Sequence, residues 1–372
     1  MTHDFATLAT PAALVDVDRL ERNVAAAAAY AAAHGVALRP HVKTHKAPAV
    51  ARRQVAAGAV GLTCATPREL EVMAEVCDDL LWAHPPVGAA KLARVMTLPR
   101  AVRLTVAVDD ASQVAALSAA ALAAGRTVYV LVEFDVGMRR VGVPAVPAVV
   151  ALARAVAAAP GLAFDGITCY PGHIRQPMDA QNDALRDLQA RLVAAVSALR
   201  TAGLPPRVVS AGSTPTMWRT HEVPAITEMR PGTSVYHDRT TVALGTAAWD
   251  EIAFTVLATV VSTAIPGQVV IDAGSKALAR EPLRGAEGEG WAAVQDRPHL
   301  VVQRMSEEHG IIELGDDPWR PAVGDLVRLV PNHACVAMHN FDAVSGLRAG
   351  GCAQTWAGSG RGGGTRTPRG RP

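Results

Sequence analysis

From residue 35 onward the chain repeats one pattern, a short apolar run followed by a longer amphipathic stretch. The runs fall at 36–43 (VALRPHVK), 59–64 (AVGLTC), 79–84 (DLLWAH), 103–108 (RLTVAV), 127–134 (TVYVLVEF), 164–170 (FDGITCY), 207–212 (RVVSAG) and 226–236 (ITEMRPGTSVY). Each has the length and Val/Ile/Leu character of a strand buried on both faces. Most gaps have a helical period, among them APAVARRQVAAG, PRELEVMAEVC, ASQVAALSAAALAAG and DAQNDALRDLQARLVAAVSALRTAG. An Ala-rich helix over 18–34 precedes them, with Asp18 as N-cap and Gly35 just past its end. Eight strands, each usually followed by a helix, predict an α/β fold with a closed (β/α)8 TIM-type barrel, because an open sheet rarely spaces eight units so evenly. From about 245 the texture changes to Val/Thr-rich runs with Gly/Pro turns, which predicts a C-terminal all-β domain. The expected organisation is a barrel over 1–245, a β domain over 246–347 and a Gly/Arg-rich disordered tail over 348–372, with residues 1–17 available to pack with the β domain.

Composition narrows the class. Hydrophobic residues make up 50% and aromatics only 4%, so the core should be aliphatic and helix-packed. No charge-free apolar run reaches membrane-spanning length, and the first residues lack a leader pattern, so no membrane partner and a cytoplasmic location are expected. The net charge is +2, yet the tail alone holds Arg348, Arg361, Arg366, Arg369 and Arg371 without an acid, so the rest is acidic on balance. That is no nucleic-acid footprint. The five Cys are odd in number and form no CxxC pair, which suits a reducing compartment and leaves reactivity or metal binding as their chemistry.

In a barrel of this type the reactive groups sit at the C-terminal strand ends. The stretch RPHVKTHK places Lys43 at the end of the first strand, between His41 and His45; it is either a solvated basic loop or part of a site. Arg139 and Arg140 follow the fifth strand, Tyr170 ends the sixth, Gly212, Ser213 and Thr214 follow the seventh, and Gly232, Thr233 and Tyr236 belong to the eighth. A rim lysine can form a Schiff base with a carbonyl. The AGST turn offers backbone N–H groups and hydroxyls to a phosphate ester, although such a turn is often only a turn. Together these groups suggest pyridoxal 5′-phosphate. In the β domain, His333 and Cys335 stand two apart in a predicted strand and so share a face, a spacing at which both can ligate a soft divalent cation. The alternative is a half-buried strand with an incidental thiol. Two protein ligands would leave positions open for substrate and water.

The stretches TPAALVDVDRLERN, LRPHVKTHK, VEFDVGMRRVGV, TCYPGH, VSAGSTPT, ITEMRPGTSVYHD, SEEHG and VPNHACVAMHNFD occur in this order from residue 11 to about 342. The chain thereby resembles the D-threonine aldolase and D-serine dehydratase family, fold-type III pyridoxal-phosphate enzymes with an alanine racemase-like barrel. The resemblance implies a homodimer acting on a small D-3-hydroxy amino acid. It makes Lys43 the Schiff-base lysine, with His41 and His45 beside it in the catalytic set. Tyr170 would contact the cofactor near its ring, Arg140 would face the pyridine nitrogen, and Ser213, Thr214 and Gly232 would hold the phosphate. Gly212, Thr233 and Tyr236 complete the cofactor set, while His333 and Cys335 would ligate zinc, manganese or magnesium, the thiolate favouring zinc. The implied reaction is retro-aldol cleavage to glycine and an aldehyde. Its alternative is the dehydration of D-serine or D-3-hydroxyaspartate to a 2-oxo acid and ammonia. A racemase would need a base from the β domain, usually Tyr, whereas Tyr30, Tyr129, Tyr170 and Tyr236 all fall in the barrel. A non-catalytic pyridoxal-phosphate carrier would lack the β domain. After about 345 the chain departs from the family pattern.

Overall fold

The computed structural model describes residues 8–284, 289–348 and 351–360. The described residues divide into two compact units, one comprising Ala27–Ile174, Ala180–Gly232 and Ser359–Gly360, the other comprising Leu8–Ala26, Arg175–Asp179 and the described part of Thr233–Gly358. A strand, β1 (Ala12–Asp16), and a helix, α1 (Val17–Ala33), lead in. Asp16 rather than Asp18 binds the first turn of α1, its Oδ1 accepting Arg19 N at 2.9 Å. The helix gives way to Gly35 at φ 64°, in the left-handed region where a glycine costs least.

The first unit is built on eight parallel strands: β2 (Ala37–Leu38), β3 (Leu62–Cys64), β4 (Asp79–Trp82), β5 (Arg103–Val108), β6 (Val128–Glu133), β7 (Leu162–Thr168), β8 (Val208–Ala211) and β9 (Glu228–Met229). Their order is β2-β9-β8-β7-β6-β5-β4-β3. The seam between β3 and β2 is closed by backbone bonds from Val60 N to Leu38 O and Thr63 N to Pro40 O, both 2.9 Å, and by a bridge between His41 and Thr63. All eight expected strands are therefore present in a closed barrel. Helices α2 (Pro48–Ala56), α3 (Pro67–Met73), α4 (Ala89–Met96), α5 (Ala111–Ala123), α6 (Val146–Ala158) and α7 (Asn182–Thr201) follow β2 to β7 in turn. After β8 the connection is a 3-10 helix over Thr214–Glu222.

The first strand is shorter than its apolar run suggests. Pro40 has no N–H to continue a ladder, and Val42–Thr44 winds into one 3-10 turn, so Lys43 lies beyond the strand end rather than in it. Leu62, Leu80, Leu104, Val130, Val132 and Ile167 face the helices and pack with Leu117, Val149 and Leu192 in an aliphatic core, while the barrel interior carries the alternate positions Leu81, Leu131 and Val208. It also holds a charged pair: Arg39 Nε lies 2.7 Å from Glu228 Oε2, and its Nη1 lies 2.8 Å from Asp79 Oδ1. Ser210 Oγ donates to the other Glu228 oxygen at 2.6 Å. Gly61 makes room for this guanidinium, because a Cβ there would sit 2.1 Å from Arg39 Nη1.

In the second unit six antiparallel strands close on themselves: β10 (Phe254–Ser262), β11 (Gln268–Ile271), β12 (Ala292–Val294), β13 (Arg297–Met305), β14 (Gly310–Glu313) and β15 (Leu326–Pro331). They run β10-β15-β12-β13-β14-β11 and return to β10. β1 pairs antiparallel with β10, β16 (Ala343–Arg348) lies parallel to β1, and β17 (Gly351–Ala357) lies antiparallel to β16. The stretch expected as a tail thus forms a strand through Ala357, because β16 offers it a register; residues 361–372 lie outside the described residues. Short helices α8 (Arg239–Ala243), α9 (Ser275–Leu278) and α10 (Ala334–His339) complete the unit.

The strand expected to carry His333 and Cys335 ends at Pro331. Asn332 Nδ2 donates to Glu281 O at 3.0 Å and Gly290 O at 2.8 Å, which turns the chain out of the sheet. His333 then occupies the N-cap of α10, and Cys335 lies in its first turn. The run ACVAM favours a helix once the ladder has ended. No helix among the described residues is long and apolar enough to cross a membrane.

Candidate active site

The 3-10 turn that carries Lys43 is held by Lys46 N, which donates to Val42 O at 2.7 Å, and by His41 Nδ1, which accepts Lys43 N at 3.3 Å. The two lysines of the motif separate here. Lys46, at φ 52°, turns its Nζ to within 3.0 Å of Glu69 Oε1, a carboxylate with no exposure. Lys43 is half-buried and holds its Nζ 5.7 Å from the centroid of the Tyr170 ring. His41 is buried, and that burial, joined by the Lys43 and Arg230 cations, pushes its imidazole well below the ordinary value, so it is neutral. His45 is used differently: Ala47 N donates to its Nδ1 at 3.1 Å, and its Nε2 faces Gln54 Oε1 at 3.2 Å. This pairing assigns the proton to Nε2. Burial pulls His45 down to about 4, against the opposing bonds from Gln54 and Ala47. Expected in the catalytic set, His45 spends both nitrogens on holding its own loop.

Tyr170 follows β7, and its ring lies where a Cβ on Gly172 would come within 2.1 Å, so Gly172 is the space the ring occupies. The Arg140 guanidinium stands 4.9 Å from the same ring centroid but is solvent-exposed at the rim. The buried arginine is Arg230, just past β9. Its Nη2 donates to Cys169 O at 2.7 Å, while its Nε is buried with no hydrogen-bond acceptor among the described residues. Glu133, at the end of β6, has its carboxyl pushed up by burial against the pull of Arg230 and Arg140. Gly212 sits at φ 94°, and Ser213 and Thr214, both buried, start the 3-10 helix behind it. A Cβ on Gly232 would meet Thr44 Oγ1 at 3.1 Å and His41 Cβ at 3.3 Å. A rim lysine, an aromatic ring, a buried donor without an acceptor and a small-residue turn opening a helix fit a nitrogen heterocycle bearing an aldehyde and an anionic ester. Arg230 and Glu133 stand outside the set that the sequence pattern suggests, although each is a charged residue at a strand end.

In the β unit, Thr233 Oγ1 lies 3.4 Å from Cys335 Sγ, and Tyr236 is fully buried 5.9 Å from the Phe254 ring. These two, expected with the cofactor, thus have neighbours within the β unit. His333 Nδ1 lies 3.0 Å from Asp238 Oδ2. Burial works to lower the His333 imidazole, yet Cys335 and Asp238 together push it up to about 11. A thiol and a buried carboxylate converge on one ring, and the carboxylate favours positive charge there. No group of three or more His, Cys, Asp or Glu side chains gathers for a metal among the described residues, so the pair could offer at most two ligands. An imidazole and a thiolate suit a soft or borderline divalent ion.

The closed parallel barrel with a lysine beyond its first strand, followed by a β unit, defines an alanine racemase-like fold. Residues 15–240 match the alanine racemase N-terminal domain, and residues 253–346 match the putative serine dehydratase domain. The chain belongs to the D-threonine aldolase and D-serine dehydratase family of fold-type III pyridoxal-phosphate lyases. It is 35% identical over 371 residues to D-threo-3-hydroxyaspartate dehydratase of Delftia sp. (strain HT23), covering 94% of this chain and 97% of that protein. The crystal structure of D-threonine aldolase from Filomicrobium marinum superposes with a TM-score of 0.88 at 34% identity, over 96% of both chains. A cysteine-to-alanine variant of D-threo-3-hydroxyaspartate dehydratase in the metal-free form gives 0.86 at 33% identity, over 94% of this chain and 97% of that one.

Proposed function

We propose that this chain is a pyridoxal-phosphate- and divalent-metal-dependent D-threonine aldolase, which cleaves D-3-hydroxy amino acids to glycine and an aldehyde. The observation that carries the reading is the convergence of Cys335 and Asp238 on His333, in a chain whose barrel also presents Lys43 beside Tyr170. A racemase or a cofactor carrier has no use for such a pair. In this reading Lys43 would hold the cofactor through its aldehyde, and Gly212, Ser213, Thr214 and Gly232 would hold its phosphate. Arg230, rather than the exposed Arg140, donates to the ring nitrogen through its otherwise unpaired Nε. A guanidinium does not release its proton, so this contact would leave the ring nitrogen unprotonated. Tyr170 packs beside the cofactor ring, and His41, whose Nδ1 accepts Lys43 N, stays a neutral imidazole that braces the lysine turn. Bound pyridoxal phosphate supplies an electron sink for the bond broken at Cα. A divalent ion on His333 and Cys335 supplies Lewis acidity toward a hydroxyl oxygen, zinc being favoured over manganese and magnesium by the thiolate. The working form is assigned as a cytoplasmic homodimer.

The relative at 35% identity, a D-threo-3-hydroxyaspartate dehydratase, supports a second reading in which a 2-oxo acid and ammonia are formed. One assay separates the two, with purified holoenzyme given D-threonine and D-serine side by side. Glycine and acetaldehyde from the first, with no pyruvate from the second, is the expected result. Formation of 2-oxobutyrate and pyruvate without glycine would mean that the chain is a dehydratase.

A further inference from the structure

We propose that Asp238 is a positioning residue for the metal site, which fixes His333 with its proton on Nδ1 and so offers Nε2, beside Cys335, to the metal. The inference rests on the reading of His333 and Cys335 as metal ligands. Asp238 has no exposure, and both of its oxygens are anchored by backbone: Oδ1 accepts Thr241 N at 2.9 Å and Oδ2 accepts Ala334 N at 3.0 Å. The same Oδ2 stands 3.0 Å from His333 Nδ1. An oxygen already receiving an amide proton acts as an acceptor, so the proton between Asp238 and the imidazole belongs to Nδ1. The carboxylate cannot swing away, because two backbone N–H groups hold it, and the ring is therefore fixed about its own axis. The His333 side chain makes no capping bond to α10 that would compete for Nδ1. Asp238 is thus placed behind the imidazole, where it orients the ring and raises the basicity of the nitrogen left to the metal. Thr233 Oγ1 lies 3.4 Å from Cys335 Sγ, within hydrogen-bonding reach of the sulfur.

The test is zinc affinity, measured on purified holoenzyme by competition with a chromophoric chelator. Asp238→Asn should bind zinc about 10- to 100-fold more weakly than wild type. Its cofactor absorbance should be unchanged, and its metal-free melting temperature should shift little compared with its zinc-bound one. Wild-type zinc affinity in folded Asp238→Asn overturns the proposal. A measurement on wild-type protein holds even if that variant does not fold: with 15N-labelled histidine, His333 should keep a protonated Nδ1 while zinc shifts Nε2. A zinc-shifted Nδ1 overturns the assignment. If Cys335→Ala binds zinc as tightly as wild type, the metal-pair reading itself fails, and this inference falls with it.

Discussion

His41 and His45 flank Lys43 two residues on either side, yet the fold gives them different work. His41 stays a neutral imidazole beside the lysine turn, whereas His45 is bonded on both nitrogens, to Ala47 N in its loop and to Gln54 of α2. The spacing PHVKTHK shows that two imidazoles accompany the lysine. It does not show that Gln54, nine residues on in α2, takes up the second one. The burial of His45 has a pH consequence. Its pKa is depressed in the fold, to about 4 from 6.5, so on acidification the unfolded chain takes up a proton that the folded chain refuses. Stability is therefore lost as pH falls from about 6.5 toward 4, with roughly 2 kcal/mol gone by pH 5 from this residue alone. His45→Asn retains an acceptor for Ala47 N but does not titrate. Its melting temperature should fall less between pH 7 and pH 5 than that of wild type, and an equally steep fall removes His45 as the source. A second residue-scale prediction concerns Lys43. Borohydride reduction of the yellow holoenzyme should fix the cofactor on the peptide containing Lys43, because the other lysine of the motif is held by Glu69. Label on Lys46 or Lys276 would overturn the assignment.

At the scale of elements, the apolar runs revealed each barrel strand in order because a strand buried on both faces leaves a continuous hydrophobic signature. Strand ends were less legible. The first run reads as eight residues and forms a strand of two, since Pro40 and the following 3-10 turn interrupt the ladder. The PNHAC stretch reads as a strand and forms the cap and first turn of α10, because Asn332 bonds the backbone at Glu281 and Gly290, contacts far away in sequence. His333 and Cys335 still come together, through a helix cap rather than a shared strand face. The Arg39 pair was invisible for the same reason: it ties β2 to Glu228 of β9 and Asp79 of β4, across 189 and 40 residues. Arg39→Ala would leave the Glu228 carboxylate buried without its cation. Breaking a buried pair on one side costs about 3–5 kcal/mol. Denaturant melts should show a loss of this size while the position of the cofactor absorbance band is kept; a loss below about 1 kcal/mol would mean that the pair contributes little to barrel stability.

Across the whole molecule, the two halves of the proposed chemistry belong to different units: the lysine, the phosphate turn and Arg230 to the barrel, and the His333–Cys335 pair to the β unit. A change of this kind was readable in the passage from alternating strand and helix to Val/Thr-rich strands, but near 245, whereas the β unit resumes at Thr233. The pairing of β1 with β10 was not readable, because a strand of five residues at the start of the chain carries no signal of its partner some 240 residues on. Two groups held by separate units should be removable one at a time. Exhaustive chelation should abolish turnover on D-threonine and leave the cofactor absorbance in place, and added zinc or manganese should restore activity. His333→Ala and Cys335→Ala should reproduce the chelated state without rescue by moderate metal. Lys43→Ala should do the reverse, losing the aldehyde-bonded absorbance while keeping its zinc in metal analysis. Each half thus serves as the folding control for the other, since a protein that retains one group has not lost its structure. Full activity after chelation, with metal analysis confirming removal, would exclude a metal from the reaction. Loss of the cofactor band on chelation would show that the cofactor depends on the metal, against the proposal that Lys43, the Gly212–Thr214 turn and Arg230 of the barrel hold it on their own.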